Sequence, residues 1–249
     1  MADQSLIERL KQGVTIWNEW KAKQPTTPLL DLTGADFSTM SVQLNGVDLS
    51  FCNLRGGNLS CLQATHGLFY SADLQGANLS RAKLNGANFT QADLSFAILA
   101  GAILLEANFG VARLTATNLS GACLVGAYFG VATLDRANLA GADLSGANFS
   151  QASLKETDFG ACDLGLTVFG DVDLSEAKGL DQIRDHAMVI LDIRSIYQSN
   201  GNIPESFLRA AGFPDAFLAL IPTLDFEEEM DEAQGNEREP TEEDRKLPS

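Results

Sequence analysis

The sequence predicts an all-β solenoid, a quadrilateral β-helix with helical segments at its two ends. Three observations predict it. Stepping by five from Leu44 to Leu174 meets Leu or Phe at 26 of 27 positions, Ala64 being the exception. Two residues before each of these, 16 of 27 positions are Ala, and one residue before, 15 of 27 are Asp or Asn. Phe recurs at 69, 89, 109, 129, 149 and 169, a second period of 20, with Phe159 outside it.

A period of five suits no regular element. On an α-helix five residues advance about 500°, so the leucines would spiral. In a continuous strand an odd period would alternate them between faces. The chain must therefore turn once per repeat. In a unit such as Ala72-Asp73-Leu74-Gln75-Gly76 the small and large residues lie two apart and point inward, while Asp73 between them points out. The last two positions form the corner, and 9 of the 27 final positions are Gly. Twenty residues make four such segments, so each coil has four sides and one side stacks phenylalanines along the axis.

Leu62 and Ala64 exchange the large and small positions within one repeat and conserve interior volume. Thr117, Thr157 and Thr167 occupy small inward positions and need hydroxyl partners, for which carbonyls of the adjoining coil are the expected acceptors. Between Phe37 and Leu44 the frame slips by two residues, which distorts the first coil.

These residues resemble the pentapeptide-repeat family, over positions 44 to 174 with an outlying pair, Asp31-Leu32 and Asp36-Phe37. The resemblance implies a right-handed quadrilateral β-helix of about seven coils. At the ~4.8 Å spacing of neighbouring strands the rod is on the order of 33 Å long.

Residues 1–28 read as an amino-terminal helical cap. Ser5 and Glu8 have capping-box spacing for a helix running toward Pro25, with Leu6, Leu10, Val14 and Trp17 on one face. Residues 29–178 are the β-helix and 179–224 a carboxy-terminal helical segment. There Asp181 is the expected cap of a helix through about Gln198, followed by Pro204 and Pro214 at the starts of two short helical units. The segment from Leu191 through Leu224 is similar to one that precedes a TIR signalling domain in some bacterial proteins, through Ser199-Asn200-Gly201-Asn202-Ile203-Pro204, Phe207-Leu208-Arg209 and Ile221-Pro222-Thr223-Leu224. No TIR domain follows Leu224 in this sequence. Residues 225–249 form an acidic tail with 11 acidic and 3 basic residues, read as disordered.

Composition narrows function. The net charge is -16, of which the tail supplies -8, while residues 44 to 174 carry only -5 with six basic residues interspersed. A basic surface for nucleic acid is missing from this pattern, so no nucleic-acid partner is expected. No apolar run approaches the ~18 residues of a membrane helix, and the charged residues Glu8, Arg9 and Lys11 stand where a leader peptide would be apolar. A cytoplasmic protein without membrane contact is expected. Cys52, Cys61, Cys123 and Cys162 show no CxxC spacing, and His66 and His186 have no neighbours at metal-ligand spacing. Neither a cofactor nor catalysis is expected, since nucleotide-binding and nucleophile motifs are missing too.

The reading that remains is a protein-interaction scaffold, partnered by another protein or by a second copy through the carboxy-terminal helices. Resemblance to the quinolone-resistance members of the family implies an alternative, an acidic rod that mimics DNA toward a type II topoisomerase such as gyrase. The candidate partner surface is apolar and outward. Ile103 and Cys123 stand one coil apart, as do Leu105 and Val125, with Ile98 and Tyr128 on the neighbouring sides. Val111 and Val131 extend it at a corner.

Overall fold

The computed structural model describes residues 2–24, 26, 29–38, 43–184, 188–224 and 226. His186 and, apart from Phe226, the acidic tail lie outside the described residues.

The repeat closes as its spacing requires. Parallel bridges join outward residues 20 apart on four sides: Asn53 to Asp73 on the first, Asn58 to Asn78 on the second, Gln63 to Lys83 on the third and Leu68 to Asn88 on the fourth. The second side climbs from Asp36 through Asn58, Asn78, Ile98, Asn118, Asn138 and Asp158 to Lys178. Its first step spans 22 residues and the rest 20. Strand β1 (Leu30–Asp31) pairs with β2 (Cys52–Asn53) at the same offset of 22, whereas Asp48 already pairs with Leu68 at 20. The two extra residues thus fall between Asp36 and Asp48, where the frame slips.

Inside, the Ala and Leu positions are sealed from water, and Leu62 and Ala64 are both buried as the exchange within their repeat requires. Phe69, Phe89, Phe109 and Phe129 stack on one another at centroid spacings of 4.7, 5.0 and 4.9 Å, their planes nearly parallel. The column continues through Phe149 and Phe169, and Phe159 meets both edge-on. The three inward threonines donate to carbonyls 23 residues back: Thr117 to Leu94 at 2.7 Å, Thr157 to Leu134 and Thr167 to Leu144 at 2.8 Å. The Cys162 thiol does the same toward Leu139 at 3.1 Å.

The structure supplies a reason for Asp and Asn at the outward position. Their Oδ1 atoms accept from the backbone N–H two residues on, as Asn78 does from Ser80 (3.0 Å) and Asn88 from Thr90 (2.9 Å), and this closes each corner. At Asp36 the same bonds from Ser38 hold the carboxyl below its usual range. The final corner residue sits in the left-handed region. Glycine suits it, yet Val111 and Val131 are held there at φ 59° by the surrounding ladder.

The ends differ from expectation in detail. The amino-terminal helix is two: α1 (Gln4–Leu10) and α2 (Val14–Lys21), separated at Gly13, whose φ of 113° no helix tolerates. Its cap is Asp3, not Ser5, because Asp3 accepts from the Ser5 N–H while Glu8 is engaged by Gln4 and Lys11. From α2, Trp17 donates to the Asp48 carbonyl (2.6 Å). The Asn18 carboxamide donates to the Gly46 carbonyl (2.8 Å) and accepts from the Asp48 N–H (2.9 Å), taking the place of a neighbouring strand.

The long helix expected from Asp181 to Gln198 is not formed. Ile190–Leu191 is instead a strand, β4, paired with β3 (Val168–Phe169) at an offset of 22, so the solenoid runs on past a second two-residue excess. Helix α3 covers only Ile193–Gln198, capped by Asp192. The nearly all-round apolar character of 189–196 reflects a short strand, with Val189 buried before it and Ile190 exposed, leading into a helix, which periodicity alone does not separate. Helices α4 (Glu205–Ala210) and α5 (Asp215–Leu218) each follow a proline, which stands at the cap position rather than inside the helix. Buried Phe207 of α4 meets Phe169 edge-on at 5.6 Å and ends the column. Among the described residues no helix is long and apolar enough to cross a membrane.

Candidate functional site

The four-sided frame decides which outward apolar residues meet. Ile103 and Cys123 are bridged partners on the third side, between Lys83 before them and Asp143 after. At the following corner the Glu106 N–H donates to the Val125 carbonyl (2.9 Å), which sets Leu105 directly above Val125. These four form one contiguous patch. Leu105 is exposed, and Ile103, Cys123 and Val125 are half-buried.

Ile98 and Tyr128 are exposed but belong to other sides, the second between Asn78 and Asn118 and the fourth between Asn108 and Asn148. Tyr128 turns away from the patch. Its ring lies across the corner at Gly110 and Gly130, where a Cβ on Gly130 would overlap the phenol hydroxyl and one on Gly110 would come within 3.1 Å of the ring. Both corner glycines therefore serve to make room, and the ring joins Val111 and Val131, each 52% exposed, in a second apolar shelf.

Further exposed apolar side chains lie outside the patch that the repeat predicts. Phe96 projects from a corner at 65% exposure; Leu166, Met188 and Ile190 gather near the end of the solenoid, where the Leu166 N–H donates to the Met188 carbonyl (3.0 Å). The sequence signal for Phe96 and Leu166 is a large apolar residue at the fifth position of a repeat. Met188 and Ile190 carry no such signal, since they follow the frame change.

The chemistry of the remaining groups is quiet. Burial pushes the Cys52 and Cys162 thiols up to about 12, so neither is a nucleophile at neutral pH. Among the described residues no group of His, Cys, Asp and Glu could hold a metal ion. Basic residues pair with carboxylates on neighbouring coils: Arg55 with Asp73, Arg113 with Asp93, Lys155 with Glu176, Lys178 with Glu156 and Arg184 with Asp163.

A rod of stacked four-sided coils, filled by one large and one small residue per side, defines a repeat β-solenoid. The sequence places it more narrowly, for residues 72–110, 92–130, 112–151 and 132–171 match the family model described as pentapeptide repeats. Residues 72–171 are pentapeptide repeats, of the family whose members form right-handed quadrilateral β-helices.

It is similar to HetL, a pentapeptide repeat protein involved in heterocyst differentiation regulation from the cyanobacterium Nostoc sp. Strain PCC 7120, with 25% identity over 66% of this chain and 88% of that one, at TM-score 0.34. A trypsin-treated form of QnrB1, a plasmid-mediated fluoroquinolone resistance protein, is 22% identical over 74% and 86%, at TM-score 0.43. A pentapeptide repeat protein from the Arabidopsis thaliana thylakoid lumen is 31% identical over 47% and 66%, at TM-score 0.23. No curated protein matches the sequence.

Proposed function

We propose that this protein is a non-enzymatic interaction scaffold whose rod presents apolar residues to a protein partner. The observation that carries the reading is the patch of Ile103, Leu105, Cys123 and Val125, rimmed by Lys83, Asn85, Asp143 and Ser145 on a frame built from closed ladders. Apolar side chains on such a frame need little ordering on binding. The helical segments at either end, in this reading, cover the cut ends of the core and keep the rod from stacking end to end. Self-association through α4 and α5 belongs to the same proposal, supported by Leu220, which is 55% exposed just beyond α5.

The topoisomerase-directed alternative needs an acidic face. The pairing of Arg55, Arg113, Lys155, Lys178 and Arg184 with carboxylates one coil away interrupts such a face, and this favours the scaffold.

The test is the double variant Leu105→Lys/Val125→Lys in cross-linked pull-downs from native lysate. Loss of the captured partner with unchanged circular dichroism and melting temperature is expected. Capture that persists in the folded variant would return the patch to ordinary surface. Inhibition of gyrase supercoiling by stoichiometric protein would promote the alternative.

A further inference from the structure

Between its last two full coils the first side of the solenoid comes apart. In the coil above, the ladder is complete: Ser153 N–H donates to the Ala132 carbonyl (2.9 Å), Leu134 N–H to Ser153 (2.8 Å) and Arg136 N–H to Lys155 (2.8 Å). One coil on, the three equivalent bonds, from Asp173 to Ala152, from Leu154 to Asp173 and from Glu156 to Ser175, are not made. The flanks are closed, by Gln151 N–H to Gly170 (2.8 Å) on one side and Phe159 N–H to Lys178 (2.9 Å) on the other. The lower strand is held separately at the α3 end, where Val172 and Leu174 N–H donate to the hydroxyls of Ser195 on α3 (3.1 Å) and Ser199 at its C-cap (2.9 Å).

What remains is a cleft of about 240 Å³ lined by Ala152, Ser153, Leu154, Lys155, Asp173 and Glu176. The Lys155–Glu176 ion pair (2.8 Å) crosses it at the corner. Among the described residues, no partner is found for the N–H groups of Leu154, Glu156 and Asp173 or for the carbonyl of Ala152. Main-chain groups of this kind are nearly always paired in proteins.

The same molecule shows what pairs them. At the opposite end, the Asn18 carboxamide donates to the Gly46 carbonyl and accepts from the Asp48 N–H, a carbonyl and an N–H two residues apart on one edge. Ala152 and Leu154 offer a carbonyl and an N–H at the same separation, both facing the cleft. We infer that the cleft between residues 152–156 and 173–176 binds a planar primary carboxamide, donating to the Ala152 carbonyl and accepting from the Leu154 N–H. An amide is neutral, whereas a carboxylate of the same shape would face the Ala152 carbonyl without a donor and stand beside Asp173 and Glu176. The amide can be an Asn or Gln side chain of a partner or a free small molecule, and the chemistry is common to both.

The experiment follows backbone amide resonances of the full chain during titration with acetamide, L-glutamine and capped Gly-Gln-Gly, with acetate and L-glutamate as the matched acids. Saturable shifts are expected at Leu154, Glu156 and Asp173 with the amides only, while Leu134 and Arg136, which are paired, stay still. Response to acetamide or L-glutamine marks a small-molecule source; response to the peptide alone marks a partner side chain. Asp173→Trp, at an exposed position over the mouth, should abolish the shifts, and Thr133→Trp one coil away from the cleft should not. In the free protein the Leu154 amide should exchange at least about tenfold faster than that of Leu134. Equal exchange would show the ladder closed, and shifts that are missing, or shared equally by amides and acids, would overturn the assignment.

Discussion

Replacing Ser195 and Ser199 by alanine tests how the carboxy-terminal end of the solenoid is closed. Both side chains are fully buried, Ser195 on α3 and Ser199 at its C-cap, and each hydroxyl accepts from a main-chain N–H of the last strand of the first side: Ser195 from Val172 at 3.1 Å and Ser199 from Leu174 at 2.9 Å. Ser199 stands where a carbonyl of another coil would otherwise be, and Ser195 takes the place of the Phe169 carbonyl, counterpart of the Phe149 carbonyl that accepts from Ala152 one coil earlier. The hydroxyls are themselves anchored, Ser195 donating to Asp192 (2.7 Å) and Ser199 to the Ser195 carbonyl (2.6 Å).

Alanine leaves a buried donor without an acceptor, at a cost of about 1 to 3 kcal/mol per site. Ser195→Ala keeps the main-chain carbonyl that anchors Ser199, so the double variant should cost about the sum of the two. Global melting is a blunt readout for a repeat array, whose ends can unfold separately. Native-state hydrogen exchange localises the effect. A loss of that size speeds exchange of the Val172 and Leu174 amides by roughly 5- to 150-fold. Leu94 and Leu114, deep in the rod, should be unchanged, and Ser206→Ala, at an exposed position of α4, serves as control. Unchanged exchange at Val172 and Leu174 in the folded double variant would refute the idea that serine hydroxyls seal this edge.

Phe109→Ala removes the middle of the phenylalanine column and should cost about 3 to 5 kcal/mol in denaturant unfolding; a loss below 1 kcal/mol would mean that the column relaxes around the gap. Thr157→Val keeps the shape but removes the hydroxyl that donates to the Leu134 carbonyl at 2.8 Å, leaving it the Ala137 N–H, with an expected loss of about 1 kcal/mol. Gly130→Ala should displace the Tyr128 ring, visible as altered tyrosine fluorescence, and adding Tyr128→Ala should remove the strain the first change introduces. Since burial raises the Cys52 and Cys162 thiols to about 12, both stay protonated when folded, and the stability they lend is present below the unfolded thiol value near 8.5 and lost as pH rises toward 12. At pH 8 a thiol reagent should therefore label exposed Cys61 at once and these two only on unfolding. Ending the chain after Leu224 should leave the oligomeric state unchanged by light scattering, whereas ending it after Glu176 should cause aggregation, because it strips α3 from the last coil.

The sequence by itself determined the solenoid. A period of five forces a turn per repeat, the 20-residue phenylalanine spacing counts four sides, and the identity of the inward residues follows because only one large and one small side chain fit each side. Even the threonine hydroxyl partners were legible, since an inward hydroxyl has no other acceptor than the coil before it. The ends were decided by tertiary structure. Whether 189–198 forms one helix or a strand and a short helix depends on Val168 and Phe169, which offer a free ladder edge that no local pattern records. The candidate surface was likewise half legible: the ruler of 20 placed Leu105 over Val125, but the turn of Tyr128 onto Gly110 and Gly130 depends on the room that absent side chains leave. The opening of the first side near Asp173 is invisible in the repeat, which continues through it without interruption. It lies beside a strand whose Val172 and Leu174 N–H groups are held by Ser195 and Ser199, more than twenty residues away in the chain, and an arrangement of distant partners is settled only when all are in place.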